Sequence, residues 1–82
     1  METIITPIKT LHGTNPESLQ QDYITAMNKI SEAVDAIHKV EFNARDYQDM
    51  DTFFWAKKQR NDQLKKLSDI YDYLETIAIA LN

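Results

Sequence analysis

The chain predicts an all-α fold: a long antiparallel helical hairpin with an extended N-terminal arm, completed as a bundle by oligomerisation. Three observations carry this. The 82 residues contain one glycine and two prolines, and after Pro16 there is neither. Two long stretches then repeat apolar residues at alternating steps of four and three, the period of a helix packed along another helix. Between them lies a short stretch of turn and cap residues.

The length sets one domain. We divide it into an arm at 1–14, helix 1 at 15–40, a loop at 41–50 and helix 2 at 51–81. In the arm, Ile4, Ile5, Thr6, Ile8 and Thr10 are β-branched and favour extended backbone, and Pro7 blocks a regular helix. The segment is either an arm lying on the hairpin or a neighbouring subunit, or a loose tail.

Helix 1 starts at Asn15 or Thr14. Asn15 is a good N-cap with Pro16 at the first helical position, whereas Thr14 with Glu17 would form a capping box. A residue before proline is pushed out of the α region, which favours Asn15. The expected stripe is Leu19, Tyr23, Ala26, Ile30, Ala33, Ile37 and Val40, with Ile24, Met27 and Val34 widening it. So wide a face suggests more than one neighbour. Helix 2 is expected to begin near Asp51, or with Thr52 as its cap. Its stripe runs Phe53, Ala56, Arg60, Leu64, Leu67, Ile70 or Tyr71, Leu74, Ile77 and Leu81, and Arg60 interrupts an apolar line. Residues 77–81 are apolar all round, so that end needs cover. Two helices cannot enclose these faces, which points to a dimeric four-helix bundle or a higher oligomer.

Composition narrows function. There is no cysteine, which excludes disulfides and thiolate metal sites and fits a reducing cytoplasm. Neither a secretory segment nor a membrane span is expected. The formal charge of −4, from 13 acidic and 9 basic residues, argues against a nucleic-acid polymer as partner. It permits an acidic DNA mimic, although the imbalance is mild.

No catalytic constellation is visible, so neither an enzyme nor a cofactor is expected. His12 and His38 stand far apart, and the helix 2 carboxylates lack the Glu-x-x-His spacing of bundle metal sites; no metal is expected. Asp62 with Lys66 and Asp35 with Lys39 read as surface pairs. Lys57, Lys58, Arg60, Lys65 and Lys66 follow Phe53, Phe54 and Trp55. That cluster is either a solvated face beside a core aromatic patch or a holder of a base and its phosphate. Three aromatics in a row cannot all face one core. We therefore place Phe53 and Trp55, with Leu67 and Leu74, at an oligomer or partner interface.

The two loops are the most informative places. His12 and Thr14 precede helix 1, and Asn43, Arg45 and Tyr47 precede helix 2. Arginine offers a planar fork for phosphate or carboxylate, and tyrosine a stacking face. These five are the candidate ligand-binding residues. Alternatively, Arg45 and Asp46 lock the turn by pairing with each other or with helix ends. In one hairpin the loops lie at opposite ends; an antiparallel dimer would bring them together.

The run Thr10-Leu11-His12-Gly13-Thr14, a helix from near Glu17, the turn Asn43-Ala44-Arg45-Asp46-Tyr47, and a second helix with Leu64, Leu67, Ile70, Leu74 and Ile77 resemble small helical accessory proteins of bacteriophages and prophages. Those carry a "TLH…NGT" start and an "N-(A/G)-R-D-Y-Y" turn, and the likeness covers nearly the whole chain. Gln48 stands where a second tyrosine is usual, and Asn15 follows the Gly-Thr pair instead of preceding it. The family has no settled activity; the resemblance implies a small accessory protein acting on a host process. The expectation is therefore a non-enzymatic counter-defence protein in the host cytoplasm. It would bind and sequester a small anionic, nucleotide-type ligand as a homo-oligomer. The alternatives are an inhibitor that binds a host protein directly and a purely structural or assembly oligomer.

Overall fold

A computed structural model describes residues 3–8, 13 and 15–82. Helix α1 spans Pro16–His38, a single 3-10 turn spans Ala44–Asp46, and helix α2 spans Met50–Ala80. The described residues contain no strand. The two helices run antiparallel as a hairpin 60 × 27 × 14 Å in extent, one helix layer thick.

Local chemistry sets the helix ends. The Asn15 side chain accepts hydrogen bonds from the amides of Glu17, at 2.9 Å, and Ser18, at 3.2 Å. It thereby satisfies two of the amides that a helix start leaves unpaired, and Pro16 removes another. Helix α2 begins at Met50, because Asp49 rather than Asp51 or Thr52 is the cap, its carboxylate accepting from the Thr52 amide at 2.7 Å. Both helices stop slightly before the expected bounds. The backbone of Val40 has already left α1, and its side chain is exposed.

The seam between the helices is narrower than the expected stripes. On α1 it follows Tyr23, Met27, Ile30, Val34 and Ile37, while Ala33 faces solvent. With one neighbouring helix, only a stripe about one residue wide each turn is covered, and alanines on its flank stay outside. On α2 the seam takes Tyr71 and leaves Ile70 exposed. Among the described residues the buried ones are Met27, Ile77, Ala78 and Leu81, and three of these lie at the α2 C-terminal end. There Gln20 of α1 donates from Nε2 to the carbonyl of Ala78 at 2.8 Å, pinning the first turns of α1 to the last turns of α2. Of the arm, residues 3–8 form no regular element, and Ile5 and Ile8 are exposed.

Candidate functional site

The hairpin loop is built around three rings. Phe42 leaves α1, Tyr47 follows the 3-10 turn, and Phe53 sits in the first turn of α2. Their centroids lie 5.1 Å (Phe42–Phe53), 5.5 Å (Phe42–Tyr47) and 5.7 Å (Tyr47–Phe53) apart, all in tilted arrangements that aromatic quadrupoles favour. Arg60, about two turns further along α2, covers the Phe42 ring with its guanidinium carbon 5.3 Å from the centroid. Its Nη2 donates to the Ile37 carbonyl at 3.1 Å. That carbonyl belongs to the last turn of α1, where it also accepts from the Val40 amide at 3.1 Å and the dipole favours a cation. Arg60 thus closes the C-terminal end of α1 while lying over an aromatic face.

This arrangement explains the interruption in the α2 stripe. The sequence places Arg60 in an apolar line and in the basic cluster beside the aromatics, and neither reading foresees its bond to the end of α1. The signal was the arginine's place one heptad after Phe53, level with the end of α1. Phe42 was overlooked, having been read as part of the loop.

The candidate ligand residues fall as follows. His12 and Thr14 lie outside the described residues. Asn43 precedes the 3-10 turn, and its carbonyl accepts from the Asp46 amide at 3.1 Å. Arg45 is exposed on that turn and makes no ion pair or hydrogen bond among the described residues. Arg45 and Asp46 do not pair, so the rings and Arg60 hold the turn instead. Tyr47 is half-buried in the ring cluster, which leaves its ring less face to offer than a free loop tyrosine has. Asn15 caps α1 at the far end of the molecule, about 34 Å of helix away from the loop at 1.5 Å per residue. Within one chain the two loop regions are therefore at opposite ends.

The interface candidates divide in two. Phe53 belongs to the loop cluster, and Leu67 and Leu74 are half-buried along the seam. Trp55 is 59% exposed and Phe54 65%, meeting edge to face at 6.2 Å. Beside Phe54 a hollow of about 370 Å³ is lined by Lys57, Lys58, Asn61 and Asp62. The basic stretch is partly neutralised in place. Lys58 pairs with Asp62 and Lys65 with Asp69, each at 3.3 Å. Asp62 thus pairs back to Lys58, not forward to Lys66 as expected, because it has a lysine one turn away on either side. Asp35 and Lys39 do not pair either; Lys29 and Glu32 do, at 3.3 Å.

Asp49 is the one described group whose acidity clearly departs from the ordinary value. The Thr52 backbone amide and hydroxyl hydrogen-bond its carboxylate and hold its pKa below the usual aspartate range. The described residues include no group of three or more His, Asp or Glu placed to hold a metal ion. None of the described helices is long and apolar enough to cross a membrane.

The chain matches no protein-family model, no curated protein and no solved structure. Its functional reading therefore rests on its own residues and on the turn-motif resemblance described above.

Proposed function

We propose that this protein works by stoichiometric binding without turnover, as an oligomer that sequesters a small anionic, nucleotide-type ligand. The setting is that of a phage or prophage counter-defence protein, following the resemblance in its turn. The observation that carries the proposal is Arg45. It stands exposed, with no partner among the described residues, on a 3-10 turn braced by Phe42, Tyr47, Phe53 and Arg60. A braced turn needs no backbone ordering when its guanidinium meets a phosphate or carboxylate, and the planar fork grips two oxygens at once.

The test is native mass spectrometry of protein taken directly from cells. The expected result is an added mass of nucleotide size in the wild type, lost in Arg45→Ala while the circular dichroism stays unchanged. An Arg45→Ala protein that keeps the full added mass would overturn the assignment.

A second reading has its own observation. Phe54 and Trp55 together form an exposed aromatic surface, a residue type that anchors protein interfaces. In that reading the target is a host protein. A wild type carrying no added mass, together with capture of a host protein that Trp55→Ala abolishes, would favour it.

A further inference from the structure

One face of the hairpin carries a groove that none of the described residues fills. On α1 its residues are Gln20, Ile24, Met27, Ser31, Val34 and His38, stepping by four, three, four, three and four. On α2 they are Leu64, Ser68, Tyr71, Glu75 and Ile79, stepping by four, three, four and four. Such ranks line up along one side of a helix, so the hollows of about 340 and 420 Å³ between them belong to one continuous face. Met27, Val34, Leu67 and Ala78 form the floor. Ile79, 65% exposed, stands on the rim, and the small Ser31 and Ser68 leave mid-groove gaps of the kind a neighbouring helix fills with knobs.

We propose that this groove is covered by a second copy of the chain, packed antiparallel as a two-fold four-helix bundle. This rests on the oligomer in the proposed function and specifies its face and direction. Two observations select the occupant. The first is area. The chain exposes 6772 Å², whereas a compact monomer of 9.6 kDa exposes about 5,100 Å². The excess of about 1,700 Å² comes partly from the arm. With the arm's share included, it is about twice the ~800 Å² that each partner contributes to a standard interface.

The second observation is charge. By the same steps of four and three, Lys57 and Asn61 continue the Leu64 rank of α2 towards the loop, while Glu17 and Glu75 stand at the opposite end. An antiparallel two-fold sets Lys57 of each copy towards the acidic end of the other. A parallel one sets Lys57 against Lys57 and Glu75 against Glu75. The antiparallel arrangement also carries the Arg45 turn of one copy towards the Asn15 end of the other. The two loop regions, about 34 Å apart in one chain, then lie at the same end of the assembly.

The experiment measures the mass of the full chain in solution by light scattering at micromolar concentration. The wild type is expected at twice 9.6 kDa. Ile79→Lys is expected at half the wild-type mass with unchanged helicity, since Ile79 contributes little to the single-chain core. Direction is read by mixing a tagged Asn61→Cys chain with an untagged Ile79→Cys chain and oxidising. The natural sequence has no cysteine, so each product is unambiguous. Mixed disulfides are expected. Disulfides between like variants would overturn the antiparallel arrangement. A monomeric wild type, including one that associates only with a host protein, or an Ile79→Lys protein that stays dimeric, would overturn the groove as a self-interface. Ligand loss in Arg45→Ala reports on the function separately. A dimer without ligand refutes the function alone, and a ligand-loaded monomer refutes the interface alone.

Discussion

Arg60 unites three interactions that are individually modest. It hydrogen-bonds the Ile37 carbonyl, it lies over Phe42, and its stem fills the seam where a leucine would otherwise stand. Arg60→Met keeps the stem and removes the other two. It should cost about 1–2 kcal/mol in urea unfolding followed by circular dichroism. Arg60→Lys should recover only part of this, because an ammonium lacks the planar fork that donates and stacks together. Asp49 acts through its ionised form. Its folded pKa is depressed below the unfolded value, so its contribution is complete above the unfolded pKa and fades as pH falls through the folded one. Thermal melts below about pH 4 should therefore show the wild type losing stability that Asp49→Asn does not lose. Asparagine caps without titrating, so the variant should be close to the wild type at pH 7.

The helices are unequal partners. Helix α2 has 31 residues and α1 has 23, and the extra length of α2 lies at its start, beside the loop. That surplus carries Phe54 and Trp55, which have no α1 residue to cover them. At the other end the helices meet most tightly, with Ile77 1% exposed and Gln20 bonded to Ala78. Ile77→Ala should cost about 2–5 kcal/mol, because it takes apolar volume from a site that is 1% exposed. Hydrogen exchange should show the loss first in the amides of the last two turns of α2. An equal loss spread along both helices would argue that the hairpin has no distinct tight end.

As a whole molecule, the hairpin is elongated. Its radius of gyration is 17.9 Å, against about 12 Å for a compact chain of this length. A single layer of two helices leaves most side chains with one side in water. This is why, among the described residues, only Met27, Ile77, Ala78 and Leu81 are buried while Phe54, Trp55 and Ile79 remain outside. The surface ion pairs do little to offset this. They join exposed side chains within single helices and gain little energy in water. The dimer proposed above would cover these side chains, as small domains with thin cores commonly require.

The sequence by itself determined the helical class, the hairpin order and the Asn15-Pro16 start, because each depends on local chemistry: the scarcity of glycine and proline, the repeat of apolar residues, and a cap adjacent to its own helix. It placed the start of α2 slightly late, since Asp49, Asp51 and Thr52 are all competent caps and local propensity does not rank them. Only the tertiary structure decided that the seam uses Val34 in place of Ala33 and Tyr71 in place of Ile70, a choice made by the position of the facing helix. It alone revealed that Arg60 reaches across 23 residues of chain to the end of α1. It also decided that Tyr47 turns inward while Arg45, two residues earlier, turns out. Ring packing among Phe42, Tyr47 and Phe53 joins residues too distant in sequence for any local pattern to show.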